Sequence, residues 1–249
     1  MKDGDTPANS MDVRTALATR RSVRDFRSDA VPDTLIDDIL TDALNAPSWG
    51  NVQPYRVAVA SGDMAKAISA DYRAHYEAGM RFQRASPFAK LRMWLAGFRG
   101  PDGDHNTIMA YPDELNTRYR ETGKGLYGVL GIAREDRAAR VRQMGRNFEF
   151  FGAPTVLFIF ASNELGAYGP LDAGAFIQSL ALAAHARGLG TCAQAALATW
   201  ASPVRSRFEV PAGYKLICGM ALGYATDTPV NAYAPERRSV DNVKLSPKP

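Results

Sequence analysis

Residues 20–24 concentrate three guanidiniums and a hydroxyl: Arg20, Arg21, Ser22 and Arg24. A solvated face would mix Lys, Glu and Asp into such a run. Guanidinium is a planar fork of donors that grips phosphate bidentately and stays charged at physiological pH. The run therefore calls for an anion as partner. Three further features carry matching chemistry. The loop from Pro47 through Ser48 and Asn51 to Gln53 offers hydroxyl and amide groups that donate and accept. Residues 188–194 form a glycine-rich stretch with Thr191, Ala193 and Gln194, read as a turn, and Arg237 and Arg238 bring cations back late in the chain.

Other chemistry lacks its residues. His75, His105 and His185 follow no metal spacing, and Cys192 and Cys218 form no CxxC pair, so no metal site is expected. The histidines read as structural and the cysteines as small buried apolar residues, which suits a reducing, cytoplasmic setting. Net charge is +4, but the arginines are scattered outside 20–27, 134–146 and 237–238. That pattern favours anionic small molecules over nucleic acid, whose binders carry a longer basic stripe with aromatics. Hydrophobic content of 46% with no apolar run of membrane-spanning length argues against a membrane partner. Residues 1–10 are polar, lack a secretory signal and read as a disordered lead-in.

The elements that must position these groups are many helices and few strands. A short helix is expected over 11–19. Pro32, Asp33 and an apolar stripe through Ile36, Ile39 and Ala43 predict another over 31–46, which Pro47 ends. A strand follows over 55–60 and a helix over 63–84. Prolines and glycines interrupt 85–125 while Phe88, Leu91, Trp94, Leu95 and Phe98 cluster there, predicting an irregular aromatic cover. A charged helix is expected over 134–148 and buried strands over 155–160 and 216–223. Between those strands, Asp172 is read as the cap of a helix ending at Gly188, and a short helix over 202–210 follows. The tail 227–249 reads as loop. The class is α+β, with residues 11–249 as one domain.

In order and spacing, RRSVRDF (20–26), APSWGNVQPYRV (46–57), FFGAPTVLFIF (150–160), ARGLGTCAQAAL (186–197) and GYATDTPVNAYAPERRSV (223–240) resemble the FMN-dependent nitroreductase family. The resemblance implies a central, mostly antiparallel sheet flanked by helices in an intertwined homodimer. It implies that FMN carries the chemistry, with no catalytic side chain and with NADPH or NADH as electron donor. Arg20 and Ser22 would hold the FMN phosphate, Arg21 adding charge, with Arg237 and its neighbour Arg238 returning to it. Arg24 would reach the pyrimidine edge of the flavin. Pro47, Ser48, Asn51 and Gln53 would come from the other subunit, and Gln53 equally suits bracing its loop. Ala193, Gln194 and Ala195 would offer backbone amides to the N5 edge, while Asn147 is open between a pyrimidine contact and a helix surface.

The expected activity is reduction of a nitroaromatic or similar small, electron-poor aromatic compound by two hydride transfers. Alternatives are a quinone, an activated alkene or a halophenol as acceptor, or a nucleotide-binding module without turnover. An excursion at about 76–130 exceeds minimal relatives and would cover the site. Tyr76, Phe82, Trp94, Phe98, Tyr111, Tyr119 and Tyr127 are its candidates to stack on a flat substrate.

Overall fold

Strand β2 (Thr155–Ser162) sets the frame because it is buried on both faces. Its residues alternate in direction. Val156, Phe158 and Phe160 enter one apolar cluster, and Leu157, Ile159 and Ala161 enter the other. The computed structural model describes residues 11–107 and 109–248, so the lead-in expected over 1–10 lies outside the described residues. Around β2 are β1 (Tyr55–Ser61), β3 (Gly190–Gln194) and β4 (Tyr214–Gly223), in the order β1-β2-β4-β3 with every neighbouring pair antiparallel. A register shift at Ile159/Phe160 inserts one residue in β4. This is why Leu216 faces one cluster while Cys218, Met220 and Leu222 face the other.

Helices cover both faces. On one side pack α2 (Asp33–Ala43) and α7 (Tyr168–Ala186), through Ile36, Ile39, Phe176 and Leu180. On the other lie α3 (Gly62–Arg84) and a 3-10 segment (Arg146–Gly152), through Ile68, Tyr72, Phe148 and Phe150. The short α1 (Val13–Thr19) is capped by Asp12, whose carboxylate accepts from the Arg14 and Thr15 amides. Among the described residues, no helix is long and apolar enough to cross a membrane.

Several sequence expectations change. Residues 85–125 are not irregular throughout: they hold α4 (Pro87–Leu95) and much of α5 (Asp113–Val129). Two of their prolines start helices rather than break them: Pro87 is at the first turn of α4 behind the Ser86 cap, and Pro112 immediately precedes α5. The charged helix is α6 (Arg137–Gly145), shorter than expected, because the Asp136 carboxylate caps its start and the chain passes into the 3-10 segment at Arg146, where left-handed Phe150 (φ 52°) and Phe151 (φ 56°) follow. Asp172 caps nothing. It is buried inside α7, which begins four residues earlier, and its Oδ2 accepts from the Trp49 amide at 3.1 Å. The stretch read as a turn over 188–194 is largely strand β3, the turn being confined to Gly188 (φ 77°) and Leu189. Short helices α8 (Ser202–Arg205) and α9 (Pro229–Ala232) complete the chain; α9 interrupts a tail expected to be loop.

Candidate functional site

Residues 20–24 leave the end of α1 and run along the free edge of β3. Ser22 bridges Thr191, and the Val23 amide donates to the Thr191 carbonyl at 2.9 Å. The approach is close: a Cβ on Gly190 would stand 2.5 Å from Val23 Cγ2, so this contact needs glycine. The far end of the segment is tied to the chain's C-terminal part. Asn231 Oδ1 accepts from the Arg24 amide at 2.8 Å, and Asn231 Nδ2 donates to the Asp25 and Thr226 carbonyls. Asp25 accepts from Arg146 at 2.7 Å and from the Thr226 hydroxyl at 2.6 Å. Burial opposes the Asp25 charge, but these partners outweigh it and hold the carboxyl below its ordinary range. Asp25, Arg146, Thr226 and Asn231 were not singled out in the sequence. They touch no candidate ligand group; their role is to fix the backbone that carries Arg24.

The three arginines of the run separate. Arg21 Nη1 donates to the carbonyls of Ala18 (2.7 Å) and Arg20 (3.0 Å), closing the C-terminal end of α1. Arg24 Nη1 donates to the Ser22 carbonyl at 3.2 Å. Half-buried Arg20 has no carboxylate partner among the described residues. Its guanidinium is pushed down from its ordinary value by burial, then by the positive charges of Arg237 and Arg21. A half-buried cation crowded by like charges is the setting an anion relieves. The fold thus brings Arg237 to Arg20 across more than two hundred residues, while Arg238 is ion-paired with Glu114 of α5 instead.

Beside this cluster, β3 is an edge strand whose Ala193 is exposed, as is Ala195 just beyond it, and Gln194 is buried. Gln194 Nε2 donates to the Asn147 carbonyl at 2.8 Å. Asn147 Nδ2 turns back to the Met144 carbonyl at 3.0 Å, so Asn147 and Gln194 brace each other. Gln194 Oε1 is a buried acceptor with no donor among the described residues. A flavin supplies what these groups lack, namely an anionic phosphate for Arg20 and a pyrimidine N–H for an orphaned acceptor. The residues present fit FMN.

Pro47, Ser48, Asn51 and Gln53 form a rigid loop. Ser48 Oγ accepts from the Gln53 amide at 3.0 Å, and Gly50, Asn51 and Gln53 all have left-handed backbone (φ 55°, 55° and 47°). Left-handed Asn and Gln are uncommon, and an over-determined strained loop suits a binding role. This loop is far from Arg20. It feeds the Tyr55 end of β1, at one sheet edge, while Ser22 meets Thr191 on the opposite edge. Register places Thr191 level with Leu222, Thr155 and Ser61. Three strand spacings across and six residues along separate the two corners by roughly 25 Å.

A cavity of ≈ 990 Å³ opens on the other side of the Ala195–Thr199 turn, with Ala196, Thr199 and Trp200 in its wall. All seven aromatics expected in the cover line it: Tyr76, Phe82, Trp94, Phe98, Tyr111, Tyr119 and Tyr127. Phe82 and Phe98 pack at 4.8 Å, and Tyr111 stacks on Tyr119 at 5.1 Å. The histidines stand apart from this chemistry: His185 Nε2 shares a 2.8 Å hydrogen bond with the Thr19 hydroxyl, and His75 stacks on Trp200. Among the described residues no cluster of His, Cys, Asp or Glu could hold a metal.

Comparison with known proteins bears on the family and the fold. The profile of the Nitroreductase family matches residues 17–224. A 4-nitrobenzoate reductase of Pseudomonas putida is 33% identical over 220 residues, 87% of this chain and 86% of its own. The crystal structure of the FMN and NADPH-dependent nitroreductase NfnB from Sphigopyxis sp. strain HMH superposes with a TM-score of 0.82 at 30% identity, covering 96% of this chain and all of that one. The FMN-dependent nitroreductase NfnB from Mycobacterium smegmatis, solved with NADPH, gives 0.79 at 29% identity, over 95% of this chain and 100% of that one.

Proposed function

Since this chain belongs to the Nitroreductase family, we propose that it is an FMN-dependent NAD(P)H oxidoreductase that reduces nitroaromatic compounds. The observation that carries the reading is Arg20, half-buried within reach of the positive charge of Arg237 and with no carboxylate partner among the described residues, in a fold that also holds an aromatic-lined cavity. FMN, when bound, supplies the site that accepts a hydride from the nicotinamide and delivers it to the acceptor, so the protein needs no acid–base set of its own. Arg20 and Arg237 hold the phosphate, and Ser22 adds a hydroxyl. Arg24 sets a positive charge near the pyrimidine edge, where it favours negative charge developing on reduction. The edge amides of residues 193–195 face the ring, and the cavity under residues 76–130 excludes water and stacks a flat acceptor.

One chain does not complete this site, because Ser48, Asn51 and Gln53 lie at the opposite corner of the sheet from Arg20. Two copies related by a two-fold axis across the α7 face would bring the loop of each to the arginines of the other. The working unit is therefore a homodimer with two flavin sites, each built from both chains.

Purified protein should be yellow, retain FMN through gel filtration, and oxidise NADPH in step with nitro-group loss. Colourless protein that takes up no FMN would falsify the reading. Steady-state NADPH oxidation with nitro, quinone and halophenol acceptors tests the acceptor class, and a strict preference for a halophenol would overturn the nitro assignment.

A further inference from the structure

Among the described residues, the wall of the cavity carries two cations, Arg99 and Arg140, and no Asp or Glu. Arg140, on α6, is half-buried, and its guanidinium carbon lies 4.1 Å from the Tyr127 ring centroid. That contact fixes the plane of the guanidinium while leaving its N–H edge free of any ion pair among the described residues. Carboxylates around the cavity are turned to other partners. Asp136, one turn before Arg140, caps α6 by accepting from the Ala139 amide. Asp102 accepts from the Ala201 amide at 2.8 Å, Asp104 pairs with Arg205 and Lys215, and Glu149 pairs with Arg73. Arg99 sits more openly, stacked over Trp94 and donating to the Trp94 carbonyl at 2.6 Å.

We propose that Arg140, with Arg99 as a second cation of the same wall, is the specificity-determining anchor for an anionic substituent, so that the preferred acceptor is a flat aromatic nitro compound bearing a carboxylate. This rests on the nitroreductase reading and narrows it. Aromatic walls alone hold any planar ring, because stacking carries no charge preference. A half-buried guanidinium fixed on Tyr127 adds one: it donates two parallel N–H bonds to a carboxylate, and only a single, weaker one to the carbonyl of an uncharged amide of the same shape. Excluding carboxylates from the wall removes the competitor that would otherwise occupy it. The nicotinamide donor also carries anionic groups, and its phosphates are the rival occupant of the same cation.

Matched acceptors decide it: 4-nitrobenzoate against 4-nitrobenzamide, which have nearly the same shape and differ in charge. With the FMN-loaded enzyme, kcat/KM should favour the anion by roughly ten- to a hundredfold, the range of one charge-assisted hydrogen bond. Arg140→Gln should collapse that ratio toward one, chiefly through KM, and Arg140→Lys should restore part of it. Quenching of tryptophan fluorescence by each compound, without NADPH, reads binding independently, since Trp94 and Trp200 line the cavity. Flavin content and circular dichroism certify that the variants are folded, and Arg99→Gln provides a second variant with a smaller change in the same direction. Equal kcat/KM for the two acceptors in the wild type overturns the proposal while leaving nitroreduction intact. A ratio unmoved by Arg140→Gln, with KM for NADPH raised instead, assigns the cation to the donor and also overturns it. Turnover of neither acceptor would instead count against the nitroreductase reading itself.

Discussion

Arg20 and Arg21 are adjacent and identical, yet the end of α1 just before them gives them different work. Arg21 closes the helix by donating to the carbonyls of its last turn, where a cation is favoured by about 0.3–1 kcal/mol. Arg20 faces Arg237 and has no carboxylate partner among the described residues. Arg20→Ala should therefore yield largely flavin-free protein, having removed a charge-assisted partner worth roughly 1.5–3 kcal/mol. Arg21→Ala should keep most of its flavin and lose only a little thermal stability. The ratio of flavin to protein absorbance after gel filtration reads both, and equal retention by the two variants would show that the run acts as an undivided patch. Asp25 contributes differently. Its folded-state value lies below the ordinary 3.8, so its stabilisation is full above about pH 4 and is lost as pH falls through the folded value. Asp25→Asn should accordingly lower Tm at neutral pH and flatten the loss of Tm as pH falls below about 4. The thiols should be inert. Burial pushes Cys192 up to about 11, against the pull of Arg24 and Arg20, and Cys218 up to about 12, so neither is a thiolate near neutrality.

At the level of elements, the arginine run is only as well placed as β3 allows. Gly190→Ala would drive a methyl into Val23, which is itself buried and has nowhere to go, so residues 22–24 must shift along the sheet edge. Overpacking of this kind costs about 1–3 kcal/mol. The displaced hydroxyl and guanidinium should also weaken FMN retention. Gly123→Ala in α5, where a Cβ meets nothing within 4 Å, is the matched control and should be neutral or slightly stabilising. A Gly190→Ala protein with unchanged Tm and flavin content would remove β3 as the element that positions the site. The same distinction explains what could be read from the sequence. The Arg run, the apolar strand β2, the seven aromatics of the cover and the Ser48 loop were legible because residue type and local spacing declare them. Asp25, Asn231 and Arg146 were not, because their partners lie up to about two hundred residues away. Asp172 was misread as a cap for the same reason: its carboxylate serves the amide of Trp49, on another element. Pro87 and Pro112 were taken as breaks because proline before a helix and proline between helices look alike until the following turns are known.

For the molecule as a whole, the decisive geometry is the diagonal of the sheet. Arg20 and the Ser48 loop occupy opposite corners, and the twist and staggering of four antiparallel strands give one chain no means of folding them together. The surface between them is also ill suited to water. Helix α7 has apolar residues nearly all round, and where it leaves the core it exposes Leu171 (64%) and Tyr168, the latter packed at 4.2 Å against exposed Trp49. A helix apolar on every side is normally buried on every side. A second copy laid on this face would cover Trp49, Tyr168 and Leu171 while delivering the neighbouring residues 47–53 to the partner's arginines, so assembly and cofactor binding should be linked. Leu171→Glu places a charge in that face without touching the phosphate site. It should halve the mass measured by sedimentation and release FMN in the same step, with flavin retention recovering as protein concentration rises, because mass action restores the dimer. A monomer that holds one FMN per chain would break the link and require both corners to be served from a single sheet, which the strand register does not permit.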